Sequence, residues 1–419
     1  MDHFHLQDGE LYAEDVPLRT IAEAVGTPVY VYSRATLERH ARVFREALDG
    51  LGRVHLAFAV KANPNLSVLR VLARQGYGAD IVSGGEMVRA LAAGMAPDAI
   101  VFSGVGKTPA ELAQGLDAGI GQFNLEHEEE GHVLSALAIA RGQRVSATLR
   151  VNPDVDAGTH EKISTGKADN KFGVPIDQAP AMYARLAALP GLNLRGVACH
   201  IGSQLSTVTP LEAAYSRIGE LISALRGAGN SVDRADLGGG LGVRYRPDET
   251  VPEPADLGSM VKRVTQGWDV ELMFEPGRVI TGNAGILLTK VIWVKPGVTH
   301  PYVIVDAAMN DLARPALYGA YHHFEAVRPS GERMTAHIAG PVCETGDTFA
   351  MGRDIDKVVS GDLAIFRTAG AYGATMASTY NSRPLVPEVM VDGDRFAVVA
   401  DRISAEQIMN AERVPDWLA

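Results

Sequence analysis

Short apolar runs recur along the first two thirds of the chain, each followed by a stretch in which apolar residues return at helical spacing. The runs at 54–60, 79–82, 100–103, 122–125, 145–151, 194–200, 234–237 and 272–274 have the length and character of strands buried on both faces. The segments 66–75, 85–93, 126–141, 179–189 and 211–227 carry the period of helices that pack by one face. Eight strands alternating with helices over about 250 residues predict an α/β fold, a (β/α)8 TIM barrel, with an open doubly wound sheet as the alternative. After about residue 285 the pattern changes. The stretches 286–294, 302–305, 334–338, 357–359, 363–367, 386–390 and 396–399 read as short strands between Gly, Pro and Asp turns, which predicts a C-terminal all-β domain. The expected division is a barrel over 36–284 and a β-rich domain over 285–419, joined by the early apolar strand near 29–32 from residues 1–35.

Composition narrows the class. A chain of 419 residues exceeds one ordinary core, in keeping with two domains. A net charge of −11 argues against nucleic acid or an anionic membrane as the main partner. The two cysteines, Cys199 and Cys343, lie far apart, so a reducing compartment is expected rather than a disulfide framework. The start, Met1-Asp2-His3-Phe4-His5, shows no signal-peptide pattern, and no apolar run has the length of a membrane span. The expectation is a cytoplasmic protein.

Candidate chemistry gathers where strands end. The first run closes in Val60-Lys61-Ala62-Asn63-Pro64, which places a lysine stem in the core and its amine at the mouth. Two readings are open: a lysine that snorkels, or a Schiff-base lysine made nucleophilic by partial desolvation. Asp80 closes the second run and His200 the sixth, so both reach the same rim. Gly238-Gly239-Gly240 follows the seventh, where backbone N–H groups can approach an anion and a following helix start would add its dipole. Glu275-Pro276-Gly277-Arg278 follows the eighth and brings a carboxylate and a guanidinium. Barrel enzymes often bind phosphate after strands seven and eight. A lysine opposite an anion cradle therefore points to a phosphorylated cofactor held covalently, and pyridoxal phosphate satisfies the set. Lys61 would carry it, the glycines and the Ser203 hydroxyl would take the phosphate, His200 would stack on the ring, and Glu275 would keep the ring nitrogen protonated.

Two further motifs are set aside. Ser103-Gly104-Val105-Gly106-Lys107-Thr108 resembles a phosphate-binding P-loop, but Val101 stands at the required first glycine. His127-Glu128-Glu129-Glu130-Gly131-His132 resembles a zinc-protease helix, but its second histidine is one position late and points elsewhere. No metal site is expected.

The segments around Lys61, His200-Ile201-Gly202-Ser203, Gly238–Gly240 and Glu275–Arg278 resemble the signatures of fold-type III pyridoxal-phosphate decarboxylases, which pair an alanine-racemase-like barrel with a C-terminal β domain. Asp306-Ala307-Ala308-Met309-Asn310-Asp311-Leu312-Ala313-Arg314-Pro315-Ala316-Leu317-Tyr318 is similar to the substrate segment of the diaminopimelate decarboxylases within that group. So are Gly340-Pro341-Val342-Cys343-Glu344-Thr345-Gly346-Asp347, Gly370-Ala371-Tyr372-Gly373 and Tyr380-Asn381-Ser382-Arg383-Pro384. The likeness spans essentially the whole chain; Ala308, where the group commonly has glycine, and the stretch 401–412 depart from it.

The resemblance implies decarboxylation of meso-diaminopimelate at its D-centre to L-lysine, the last step of lysine biosynthesis. It implies that Arg278, Arg314 and Tyr318 bind the distal carboxylate, Glu344 the distal ammonium, and that Tyr372 touches both cofactor and substrate. Cys343 is the implied general acid, contributed with Glu344 by the partner subunit of a homodimer; a buried structural thiol is the other reading of Cys343. Rival functions are a racemase, a decarboxylase of ornithine, arginine or a carboxylated polyamine, and a catalytically silent cofactor-binding homologue.

Overall fold

The computed structural model describes residues 2–156, 158 and 170–418. The chain forms two compact units: Glu38–Val243 with Thr250–Ile280, and Met1–Leu37 with Arg244–Glu249 and Thr281–Ala419.

The first unit is the expected closed barrel. Its parallel strands are β1 (Val54–Ala59), β2 (Gly78–Ile81), β3 (Ile100–Phe102), β4 (Gln122–Leu125), β5 (Val145–Asn152), β6 (Leu192–Ala198), β7 (Arg234–Asp236) and β8 (Glu271–Phe274). Each pairs with its sequence neighbour, β8 pairs with β1, and the β4–β5 pairing completes the circle. Helices follow the strands for local reasons that the sequence states. Thr108 caps the helix Pro109–Ala118 by accepting from Glu111 N–H, the Glu111 carboxylate bonds back to Thr108 N–H, and Gly119 ends the helix in a left-handed turn.

Strand alternation decides what enters the barrel. In β4, Phe123 and Leu125 alternate with Gln122 and Asn124, whose amides hydrogen-bond each other at 2.7 Å. Asn124 Oδ1 also accepts from Thr148 on β5, and Gln122 Oε1 accepts from Arg234 on β7. The barrel interior is thus partly polar, and Ala57, Val101 and Met273 form only a small apolar cluster within it.

The two motifs set aside above meet in the folded chain. Lys107 and Glu130, both wholly or almost wholly buried, form an ion pair at 2.7 Å, and Lys107 also donates to the Gly104 and Asn124 carbonyls. His127 caps the helix Glu128–Ala140 by accepting from Glu130 N–H. Both motifs fasten the loops beyond β3 and β4.

The second unit is built on a sheet with the strand order Thr348–Asp356, Arg333–Ala339, Tyr302–Val305, Gly285–Lys295, Val29–Ser33, Glu388–Asp392, Arg395–Ala400. Leu363–Phe366 pairs with both Gly285–Lys295 and Phe324–Ala326. The early strand Val29–Ser33 lies inside this sheet and is buried along its whole length. Its alternation serves two layers. Val29 and Val31 pack with Ile286, Leu288, Ile365 and Val389, while Tyr30 donates to the Asp311 carbonyl and Tyr32 to the Glu388 carboxylate.

One expectation needs correction here. The stretch 357–359 is not a strand; the strand is Thr348–Asp356 just before it, disguised in sequence by Gly352, Arg353 and Asp354. The sheet dominates the unit as expected, with the short helices Leu18–Val25, Arg314–Tyr318 and Ala405–Met409 beside it.

Candidate active site

The candidate residues fall into two groups, one in each unit. In the barrel, β1 does not run on to Lys61. It ends at Ala59, and Val60–Ala62 form a single 3-10 turn. The turn is closed by Asn63 N–H on the Val60 carbonyl, and Asn65 then caps the helix Leu66–Arg74 through Ser67 N–H. Lys61 Nζ donates to Asp80 Oδ2 at 2.9 Å. The register explains the pairing: Asp80 on β2 stands beside Ala59 on β1. The Asp80 side chain is fully buried, and its Oδ1 is left without a hydrogen-bond partner among the described residues.

Across the same barrel end, Arg278 is buried and its Nε and Nη2 donate to Ser203 Oγ at 3.3 and 3.0 Å. The loop that carries Ser203 is zipped to the glycine loop. Leu205 N–H donates to the Gly240 carbonyl, Gly242 N–H to the Leu205 carbonyl, and the Gln204 amide exchanges two bonds with Val243.

The three glycines are not equivalent. A Cβ on Gly238, Gly239 or Gly240 would come within 2.5, 2.3 or 2.5 Å of the Cys199, Glu275 or Gly202 carbonyl oxygen. All three are therefore required for the close approach of neighbouring loops. Gly238 N–H is taken by Asp236 Oδ1 and Gly239 N–H by His200 Nδ1, which leaves Gly240 N–H as the donor of the three without a protein partner among the described residues. No helix begins directly after the glycines; the next is Pro254–Val264, so the expected dipole is absent.

His200 accepts from Gly239 through Nδ1, so its hydrogen is on Nε2. Desolvation, with Lys61 and Arg150 as neighbouring cations, pushes its pKa well below the ordinary value and keeps the ring neutral. Glu275 lies at the end of β8, buried, with its carboxyl pushed well up by burial and then by the Asp236 and Asp80 charges, against the pull of Lys61. Glu86 faces the same charges. Its carboxyl is pushed up to about 7, mainly by burial, while Val82 N–H opposes the shift.

The barrel residues fit a phosphorylated pyridine aldehyde. The amine is at the rim, a buried carboxylate oxygen stands unsatisfied beside it, and Ser203, Arg278 and Gly240 N–H supply an anion seat. A flat neutral ring and a buried carboxyl complete the set. Pattern reading missed Asp236, Asn124, Ser103, Glu126 and Arg150. Asp236 accepts from Asn124 Nδ2 at 2.9 Å, and Glu126 holds Arg150 at 2.8 Å while accepting from Gly104 and Gly173 N–H. For Asn124, Arg150 and Asp236 the signal was present as polar residues at alternate positions of strands buried on both faces; Ser103 and Glu126 stand just past strand ends.

In the sheet unit the motifs are tied to one another. Asp347 accepts from Met309 N–H and Val342 N–H at 2.6 and 2.7 Å, which joins the 306–318 and 340–347 segments. Arg383 Nη2 donates to the Asp306 carbonyl and Asn310 Nδ2 to the Ser378 carbonyl, and Cys343 N–H donates to Asn381 Oδ1. Arg314 and Tyr318 lie one turn apart on their short helix. Arg314 Nη1 lies 2.9 Å from His322 Nε2, and His322 Nδ1 lies 2.9 Å from the Arg367 carbonyl. The carbonyl can only accept, so His322 carries its hydrogen on Nδ1 and receives Arg314 on Nε2. The guanidinium also sits over the Tyr245 ring at 4.8 Å. His322 and Tyr245 were not singled out in the sequence, where each is an isolated residue. Cys343 and Glu344 are exposed in the single chain, and the Glu344 carboxylate raises the pKa of the neighbouring Tyr380. Tyr372 adopts a φ of 56°, a left-handed conformation that a bulky residue keeps only where its surroundings enforce it.

The chain is similar to known proteins over nearly its whole length. Residues 34–282 match the family model described as the pyridoxal-binding domain of pyridoxal-dependent decarboxylases. A diaminopimelate decarboxylase of Zymomonas mobilis is 53% identical over 99% of both chains. One of Pseudomonas fluorescens is 50% identical over 98% of this chain and 99% of its own. The crystal structure of the diaminopimelate decarboxylase of M. jannaschii in complex with L-lysine superimposes with a TM-score of 0.95 at 33% identity, covering 100% of this chain and 99% of that one.

Proposed function

The chain belongs to the diaminopimelate decarboxylases, and from that premise we propose which of its residues carry the reaction. The protein uses pyridoxal phosphate to remove CO2 from meso-2,6-diaminopimelate, at the D-centre, and releases L-lysine. Bound pyridoxal phosphate supplies the electron sink for the pair of electrons left behind by CO2. The supporting observation is the Lys61–Asp80 pair standing at the barrel end that also carries the Ser203–Arg278 anion seat.

Each residue then has a task. Lys61 holds the cofactor covalently, with Asp80 as counter-charge. Ser203, Gly240 and Arg278 take the phosphate, Gly277 leaves room beside Ala59 and Ala62 next to Lys61, and Gly238 and Gly239 shape the phosphate loop. His200, neutral and fixed through Nδ1, lies against the ring, and Glu275 meets the ring nitrogen.

Diaminopimelate has an amino-acid head at each end, so one head reacts while the other is recognised. Arg314, pre-set by His322 and Tyr245, takes the distal carboxylate with Tyr318 and Arg278, and Glu344 takes the distal ammonium. Tyr372 bears on both cofactor and substrate. A substrate without the distal carboxylate leaves buried cations unmatched, which supports strong discrimination.

Cys343 delivers the proton to the carbon that lost CO2. Its exposure, together with that of Glu344, supports a site completed by the partner subunit of a two-fold homodimer. A cytoplasmic location is part of the same reading; no described helix is long and apolar enough to cross a membrane.

Borohydride reduction of the pyridoxal-phosphate-loaded protein, followed by peptide mass mapping, tests the assignment. The adduct is expected on Lys61; an adduct on any other lysine would overturn it.

A further inference from the structure

The hydrogen bonds behind Glu275 belong to none of these tasks. Ser103 Oγ donates to Glu275 Oε1 at 3.4 Å, Asn124 Nδ2 donates to Ser103 Oγ at 3.1 Å, and the same Nδ2 donates to Asp236 Oδ2 at 2.9 Å. The Asp236 and Glu275 carboxyls are thus joined through Asn124 and Ser103, and each feels the other's charge. All four residues are buried, and they come from the ends of β3, β4, β7 and β8.

The two carboxyls are held differently. Asp236 has an N–H donor on each oxygen, from Asn124 on one and from Gly238 at 3.0 Å on the other. That is the environment of a carboxylate. Glu275 has one side-chain donor among the described residues, the Ser103 hydroxyl at 3.4 Å, and has the Asp236 carboxyl as a neighbour. Two neighbouring carboxyls out of water cannot both ionise, so the pair keeps one proton. The donor count puts the charge on Asp236 and the proton on Glu275. Burial and Asp80 reinforce the retention of the proton and Lys61 opposes it; Cys199 and Tyr215, which also face the pair, are kept neutral by their own burial.

We propose that Asp236 is the seat of the negative charge that faces the cofactor's ring nitrogen, and that Glu275 is the proton-bearing link between the two. Asp236 is then a positioning residue that acts through Glu275, and Asn124 holds it there. No proton has to leave the chain: the ring N–H meets one Glu275 oxygen while the Glu275 hydrogen stays directed at Asp236. The proposal rests on the placing of Glu275 at the ring nitrogen.

The test compares Asp236→Asn and Glu275→Gln with the parent protein loaded with ring-15N pyridoxal phosphate. The 15N shift is followed across pH, and the cofactor Kd is measured by equilibrium dialysis. Asp236→Asn removes the charge, so the ring nitrogen should lose its proton at least about one pH unit lower, with binding weakened about tenfold. Glu275→Gln keeps the charge on Asp236, and its amide can donate to Asp236 while offering an oxygen to the ring. Its Kd should stay within about threefold and its titration within about half a unit. A Glu275→Gln defect equal to or larger than that of Asp236→Asn would overturn the proposal while leaving Glu275 at the nitrogen. No shift in either variant would overturn the placing of Glu275 itself. If Asp236→Asn does not fold, Asn124→Ala serves, since it strips one donor from Asp236. It should move the titration the opposite way, to higher pH, because the pair keeps its charge and the loss of a donor shifts that charge from Asp236 onto Glu275 beside the ring nitrogen; an unmoved titration contradicts the proposal.

Discussion

Lys61 and Asp80 form an ion pair at 2.9 Å whose members are unequally buried: none of the Asp80 side chain is exposed, against about a third of the Lys61 side chain. An amine with a buried counter-charge and an open approach can be attacked and can attack. Lys61→Ala should abolish the visible absorbance of covalently held cofactor and lower kcat by about three orders of magnitude or more. Asp80→Asn should keep the covalent link and weaken cofactor retention about tenfold. Absorbance after dialysis checks both.

Arg314 should act on the substrate and not on the cofactor. Arg314→Ala removes a buried guanidinium held by His322 and stacked on Tyr245, so KM for diaminopimelate should rise about a hundredfold while the cofactor absorbance stays intact. His322→Ala should give a smaller rise in KM, because Arg314 keeps its charge and loses its aim. Loss of bound cofactor in either variant would contradict the assignment.

The shared site makes a quantitative claim. Lys61→Ala and Cys343→Ala proteins are each expected to be nearly inactive alone. If Cys343 serves the partner's lysine, unfolding and refolding an equal mixture restores one intact site in each mixed dimer, or about a quarter of parental activity. A site made within one chain would give the same intact site through neither parent, and the mixture would stay inactive.

Glu86 makes the cofactor-free protein sensitive to pH. Its folded pKa is raised to about 7 against an ordinary value of 4.5, so between these values the folded chain holds a proton that the unfolded chain has released. Stability from this group is therefore lost as pH rises through that window. Glu86→Gln should flatten the profile, gaining on the order of 2 kcal/mol over the parent between about pH 5 and 8. Urea melts at the two pH values measure it.

The Lys107–Glu130 pair predicts the opposite kind of variant. Glu130→Ala leaves a fully buried ammonium unmatched and should cost about 3–5 kcal/mol, whereas Lys107→Met with Glu130→Leu should cost far less.

The barrel was legible because its strands are short apolar runs with helical segments between them. Lys61, Asp80, His200, Ser203 and Glu275 were legible because each stands at or just beyond a strand end. Asn124 and Asp236 were not, because Gln122-Phe123-Asn124-Leu125 and Arg234-Ala235-Asp236 put polar groups into a barrel interior expected to be apolar. The strand Thr348–Asp356 was hidden by charges on exposed positions and by Gly352, whose φ is 54°. His322 and Tyr245 were hidden because their meaning is a contact with Arg314, which spacing along the chain does not encode.

The central claim is tested most directly by CO2 release from the pyridoxal-phosphate-loaded protein, with meso-diaminopimelate run beside ornithine, arginine and lysine. The account predicts turnover of diaminopimelate alone, with L-lysine as product. Turnover of ornithine or arginine at a comparable kcat/KM would contradict the recognition of the distal head by Arg314 and Glu344.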